Sequence, residues 1–319
     1  MKTNCGNFNK VPLATNYAVS SILDVIGGTP LVELQGLTEE LKRRIFVKLE
    51  AFNVSGSIKI RSSYTRILEA ERTGELRPGQ IILEATSGNQ GISLALITAA
   101  SRGRYKCTII MPSTMSNERK CIIPLLGANL ITQKADGTPI MTTSEAKAYA
   151  EELATSDDNY FYMRQFEVSP TDTSMNVAHE IVYQLNGLHL DGFVAANGTG
   201  YTLTSCTRIL KEHFPDLRVA TTAQDKFPHK QQGIGVDFTP PILDTSCFDE
   251  VFTVRDCDAF RMAKNLASQE GLLCGISSGT NVFAAIELAK TLPEGSVVVT
   301  ICPDSAERYL SMFCESTIA

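Results

Sequence analysis

Four short segments combine residue types that can hold an anion beside a reactive amine. Phe52-Asn-Val-Ser-Gly-Ser-Ile-Lys59 ends on a lysine, and Thr86-Ser-Gly-Asn-Gln-Gly91 is nearly all small or polar. Asn197-Gly-Thr-Gly-Tyr-Thr202 and Gly275-Ile-Ser-Ser-Gly279 complete the set. Glycines let the backbone close on a ligand, and hydroxyls and amides add donors. Backbone N–H groups opening a helix supply the remaining positive potential, so such turns suit a phosphate or carboxylate. A lysine desolvated near a helix N-terminus has a lowered pKa and becomes a nucleophile, whereas on the surface it is an ordinary helix lysine. A dinucleotide site is the first competitor, since Gly198-Thr-Gly200 opens a Gly-x-Gly-x-x-Gly pattern. Leu203 stands where the last glycine belongs, and the acid that should end a strand about twenty residues later is Asp216, on a turn. The Gly-x-x-x-x-Gly-Lys-Ser/Thr loop is absent.

The elements that must position these turns alternate between strand and helix. Apolar β-rich runs mark strands at 45–49, 81–85, 107–111, 130–132, 192–196, 218–221 and 296–300. Helical patterns fill 62–73, 91–101, 117–126, 143–154, 202–213, 259–270 and 282–292. Such alternation predicts an α/β architecture with parallel sheets covered by helices on both faces. Ligands then bind where strand ends meet helix N-termini, which is where the four turns fall. Polar Thr155-Ser-Asp-Asp-Asn159 interrupts the pattern and marks a lobe boundary near 155–170. Length favours two lobes for a chain of 319 residues.

Bulk properties exclude several classes. A net charge of -6 argues against nucleic acid or an anionic membrane as partner. No apolar run approaches the roughly 18 residues of a membrane span. The nine cysteines, Cys5, Cys107, Cys121, Cys206, Cys247, Cys257, Cys274, Cys302 and Cys314, form no Cys-x-x-Cys pair. The expectation is thiols in a reducing cytoplasm, with no metal centre, since the four histidines also lack ligand spacing. Residues 1–20 carry neither an apolar signal core nor an Arg-rich pattern and read as a poorly ordered extension.

In this order the turns resemble those of the cysteine synthase and cystathionine β-synthase family, fold-type II pyridoxal-phosphate enzymes related to the tryptophan synthase β-chain. Further matching segments are Ser21-Ile-Leu-Asp-Val-Ile-Gly-Gly-Thr-Pro-Leu31, Met111-Pro-Ser-Thr-Met-Ser-Asn-Glu-Arg119, Pro228-His-Lys-Gln-Gln-Gly-Ile-Gly235, Glu270 to Gly279, and Pro303-Asp-Ser-Ala-Glu-Arg-Tyr-Leu310. The resemblance implies pyridoxal 5'-phosphate as cofactor, carried on Lys59, whose amine also moves the substrate α-proton. It implies that Asn89 contacts the cofactor's phenolic oxygen, and that Thr86, Ser87 and Gln90, with Gln165, bind the substrate α-carboxylate. The alternative is an N-cap turn at 86–90 and a solvated loop residue at 165. Gly198, Thr199, Gly200, Tyr201 and Thr202 are expected to cup the phosphate, and Ser277 to face the pyridine nitrogen unless it merely caps a helix. A neutral hydroxyl there makes a milder electron sink, which suits β-elimination and replacement.

The implied layout is a 1–20 extension, strands in 21–50 joining the C-terminal lobe, a mobile N-terminal lobe at 51–165, and a C-terminal lobe at 166–319 carrying the phosphate cup. The implied assembly is a homodimer, and no regulatory module is expected beyond Ala319. The expected reaction joins an O-activated L-serine (O-acetylserine or O-phosphoserine) to sulfide. The same chemistry with water, a thiol or an amine would give serine and hydrogen sulfide, lanthionine or cystathionine, or a diaminopropionate derivative. Departures from the family pattern keep open a catalytically weak binding or sensor protein. Tyr201 replaces a glycine of the phosphate cup, Gln90 a threonine, Val54 a proline, and Asn176-Val-Ala a Thr-Thr-Gly. Asp237 occupies a small-residue position near the entry of the second substrate. A carboxylate there would repel HS⁻ by roughly several tenths to a few kcal/mol, or serve as general base for a neutral nucleophile. Solvated on a turn, it would do neither.

Overall fold

Strands whose two faces are both apolar must be covered on both sides, and two such sheets organise the chain. The computed structural model describes residues 18–168, 170 and 173–318. The expected 1–20 extension therefore falls largely outside the described residues. In chain order the elements are β1 (Leu31–Glu33), β2 (Arg44–Leu49), α1 (Lys59–Thr73), β3 (Ile81–Ala85), α2 (Asn89–Ala100), β4 (Lys106–Ile110), α3 (Asn117–Leu125) and β5 (Asn129–Ile131). There follow α4 (Thr143–Ser156), β6 (Tyr160–Tyr162), α5 (Val177–Gln184), β7 (Gly192–Val194), α6 (Tyr201–His213) and β8 (Arg218–Gln224). The chain then runs through β9 (Glu250–Val254), α7 (Asp256–Glu270), α8 (Ile276–Thr291), β10 (Val297–Cys302) and α9 (Leu310–Ile318).

The first sheet has the order β5-β4-β3-β6 and is parallel throughout. Successive side chains of β3 leave by opposite faces. Ile82 enters one core with Ile92 and Ile97 of α2, while Leu83 and Ala85 enter another with Ala146 and Ala150 of α4. Because β6 pairs with β3, the chain through Tyr162 belongs to this sheet, and the polar stretch at 155–159 is the end of α4 and the turn before that edge strand.

The second sheet has the order β1-β2-β10-β7-β8-β9, with β1 the antiparallel edge. β10 runs parallel to β2 from Val297↔Arg44 to Cys302↔Leu49, so β1 and β2 lie in the same sheet as the last strands of the chain. Val298 faces α8, beside Leu288, whereas Val299 and Ile301 face α5 and α6. Burial of α8 explains why its apolar residues lie all round the helix. Truncating the fully buried Leu288 to alanine would cost about 2–5 kcal/mol. The C-terminal ends of β2, β3, β7 and β10 all lead into segments that line one cleft.

Candidate active site

The lysine loop leaves β2 at Glu50 and is held by the exit of β10. Ile58 N–H donates to the Pro303 carbonyl at 2.9 Å, and Ser57 bridges Asp304. α1 then begins at Lys59 without a side-chain cap, so its first N–H groups lie near the lysine itself. Burial pulls the Lys59 amine down to about 8, although the carboxylates of Glu84 and Asp304 favour its charged form. Two residues further on, Arg61 is buried against Glu50 and Glu180, which anchors this end of α1 to α5.

The 86–90 turn follows β3 and starts α2 at Asn89. Gly88 is the N-cap and makes no side-chain cap, so the capping alternative does not describe this turn; the Thr86 hydroxyl instead accepts the Gly88 N–H at 3.1 Å. Gln165 is no solvated loop residue: its side-chain amide donates to the Ala85 carbonyl at 2.7 Å and its backbone N–H to Glu84 at 3.1 Å. Burial pushes the Glu84 carboxyl up to about 8, against the opposing pull of N–H groups from Gln165 and Ala85.

After β7, Gly200 caps α6 at φ 90, a left-handed angle open to glycine, and a Cβ there would meet Leu243 at 2.8 Å. Tyr201 needs neither an unusual backbone angle nor a shifted loop: as the first residue of α6 it is absent from the positive-φ positions, the strain falling on Gly200. Tyr201 borders two cavities of about 20 Å³ that Lys59 also lines, rather than the main cleft. The Asn176 departure has a structural role, since its amide oxygen accepts the Ala178 N–H at 2.9 Å to cap α5 and its side-chain amide nitrogen donates to Ser205 of α6 at 2.8 Å. Ser277 is 3% exposed and is the second residue of α8, whose cap is Gly275.

Lys59, Thr86, Ser87, Asn89, Gln90, Gln165, Gly198, Thr199, Gly200, Thr202, Asp237 and Ser277 line a single cleft of about 1230 Å³. That exceeds the roughly 300–1,000 Å³ of most small-ligand pockets and leaves room for two ligands. Asp237 sits on its exposed part. The donor set fits a pyridoxal phosphate: an uncapped helix N-terminus with two threonine hydroxyls suits a phosphate dianion, and a desolvated amine suits its aldehyde. The buried Asn197 side-chain oxygen beside the cup has no partner.

The model of the family described as "Pyridoxal-phosphate dependent enzyme" matches residues 22–304. The chain belongs to this family. It is 40% identical over 306 residues to a probable cysteine synthase of Bacillus subtilis, covering 92% of this chain and 96% of that one. It is 37% identical over 304 residues to the cysteine synthase of Staphylococcus aureus, with the same coverage. An O-ureido-L-serine synthase superimposes with a TM-score of 0.84 at 35% identity, covering 95% of this chain and 97% of the other. This family membership makes the chain a pyridoxal-phosphate enzyme, as its four turns implied.

Four buried residues of the site drew no role from the sequence. Asp304 and Arg308 sit inside a segment read only for its resemblance, Arg119 ends another, and Glu84 looks like part of a plain strand. Only Glu84 carries a local signal, a charge inside an apolar run, because burying a charge requires a partner. No group of three His, Cys, Asp or Glu that could hold a metal ion occurs among the described residues. Among them, too, no helix is long and apolar enough to cross a membrane.

Proposed function

We propose that the protein catalyses β-replacement on an O-activated L-serine, O-acetylserine or O-phosphoserine, with sulfide as nucleophile and cysteine as product. The observation that carries the reading is one cleft holding a lysine lowered to about 8, an uncapped helix N-terminus and the 86–90 turn. Bound pyridoxal phosphate supplies the electron sink that lets a β-substituent leave an amino acid and another take its place. Lys59 anchors that group and moves the proton at the substrate Cα. Gly198 to Thr202 hold the phosphate, Tyr201 through its backbone. Ser277 offers the ring nitrogen a hydroxyl, which withholds a full proton, and Asn89 offers the phenolic oxygen an N–H. Thr86, Ser87, Gln90 and Gln165 receive the α-carboxylate, Gln165 already fixed by its bond to Ala85. In keeping with the relatives' activity, we expect a cytoplasmic homodimer.

The test begins with the purified protein, which should be yellow and, after borohydride, carry the cofactor on the peptide containing Lys59. O-acetylserine or O-phosphoserine with sulfide should then yield cysteine. A colourless protein without the label would return the reading to a sensor; a labelled one that makes no cysteine would retain the cofactor and discard the product. Asp237 supports a second reading, a neutral nucleophile such as a thiol or an amine, because it puts a carboxylate on the open part of the cleft. Competing sulfide against a neutral thiol and an amine in one reaction separates the two.

A further inference from the structure

A cluster of buried charge from the C-terminal segment meets the site from behind. Arg308 is 6% exposed and donates both to the side-chain oxygen of Asn89 and to the Ser55 carbonyl in the lysine loop. Asp304 is fully buried, and one of its oxygens accepts from the Asn89 side-chain amide nitrogen at 2.6 Å and from the Tyr309 hydroxyl at 2.6 Å. Arg119 donates to the same Tyr309 hydroxyl and to Asp304 at 3.5 Å. Gly56, at φ 69, leaves room for this arrangement, since a Cβ there would lie 2.6 Å from the Arg308 guanidinium.

The two ends of an asparagine amide have nearly the same shape, and only their partners decide which way round it sits. Here the partners cannot exchange roles. An ionised carboxylate only accepts and a guanidinium only donates. The Asn89 oxygen is thereby committed to Arg308, and one hydrogen of its amide nitrogen to Asp304. What remains for the cleft is the second N–H, a donor. A donor suits an anionic phenolic oxygen; a reversed amide would present a lone pair and repel it. Charge-assisted bonds on both ends also polarise the amide and strengthen the remaining donor.

We propose that Arg308 and Asp304 are positioning residues that fix the direction of the Asn89 amide, and that Arg308 locks it in register with the lysine loop through Ser55. The proposal rests on the reading that Asn89 contacts the cofactor. Arg308→Lys keeps the charge but can reach only one of the two carbonyl oxygens. Apoenzyme should be titrated with pyridoxal phosphate, reading its Kd, the position of the visible band and the Tm of the cofactor-free protein. Arg308→Lys should weaken cofactor binding about 10-fold and move the band, with the cofactor-free Tm nearly unchanged. Asn89→Ala should do the same, and the double variant should be no worse than Asn89→Ala alone. Kd and band unchanged in Arg308→Lys, or effects that multiply in the double variant, would overturn the proposal. Should Arg308→Lys fail to fold, Asp304→Asn answers the same question, because its amide no longer dictates which end of Asn89 faces it. An effect of Asn89→Ala without one from Arg308→Lys or Asp304→Asn sinks only the positioning role. No effect of Asn89→Ala in protein labelled on Lys59 sinks the underlying contact.

Discussion

Replacing Arg61 with methionine should unfold the protein more easily by about 3–5 kcal/mol at neutral pH, the usual cost of removing one member of a buried ion pair. Arg61 is 4% exposed and serves two carboxylates at once: Glu50 at 2.7 and 3.0 Å, and Glu180 at 2.7 and 2.9 Å. Methionine fills the volume and removes every donor. Glu50, fully buried, then keeps only the Thr29 hydroxyl and the Asn53 amide. Glu180 keeps Lys48 at 2.7 Å and the Gly28 N–H at 2.9 Å. Burial alone would raise the Glu180 carboxyl, but Arg61 and Lys48 outweigh it and hold it at about 2, against 4.5 for the free group. A carboxylate depressed that far contributes on the order of 3 kcal/mol above pH 4.5, lost as pH falls toward 2. Without Arg61 the Glu180 pKa rises and the contribution shrinks to what Lys48 and the Gly28 N–H still supply, so keeping the buried group ionised becomes harder and protonation relieves part of that loss. The gap between variant and wild type should thus be widest near pH 8 and narrow on acidification. Urea unfolding of the two holoproteins across that range measures it. A loss under about 1 kcal/mol, or one that does not change with pH, would show that the arginine packs here without neutralising anything.

The remaining expectations concern the cleft. Because the unprotonated amine reacts, the rate of cofactor capture by apoenzyme should rise with a midpoint about 8, read by stopped-flow absorbance, rather than near the free lysine value of 10.5. Glu84→Gln mimics the protonated carboxyl, so KM for the amino acid should change little below about pH 8 and rise above it, where the wild-type carboxylate offers two full acceptors to the N–H groups of Ala85 and Gln165. The folded protein holds a proton on Glu84 up to about 8 that the unfolded chain releases near 4.5, so wild-type stability declines over that window. Thermal melts of Glu84→Gln should lose that decline. Tyr201→Gly should restore no cofactor affinity and should cost about 1 kcal/mol, since it puts glycine into the first turn of α6. Asp237→Asn should raise the preference for HS⁻ over neutral nucleophiles and alter the pH profile; identical product ratios and profile would remove Asp237 from the chemistry.

The alternating pattern made the helices and central strands legible because each carries its own periodicity. β6 spans Tyr160–Tyr162 and β9 spans Glu250–Val254; both consist mainly of strand-forming residues, but they are sheet-edge strands with no long apolar run to mark them. α8 begins at Ile276, six residues before its helical pattern becomes clear at Val282, because Ser277, Ser278 and Gly279 are poor helix formers. Packing against α7 and the sheet overrides them: a Cβ on Gly279 would lie 2.0 Å from the Ala259 carbonyl oxygen.

The site divides along the same line. Residues that meet a ligand sit on strand-to-helix turns, where glycine, hydroxyl and amide types must cluster within a few positions to make a pocket. Such clustering is visible in one dimension. Residues that hold those turns in place need only arrive from somewhere. Asn89 and Asp304 are 215 positions apart, and Arg308 reaches Ser55 across 253. Nothing local distinguishes Arg308 from any arginine before a short helix; its meaning is a buried guanidinium with two fixed acceptors. The second sheet makes the meeting unavoidable. Once β2 pairs in parallel with β10, the lysine loop after Leu49 and the acidic turn after Cys302 must leave side by side. The register of that strand pair, Leu49 opposite Cys302, is therefore what turns a distant Asp-Ser-Ala-Glu-Arg run into the support of the Asn89 amide.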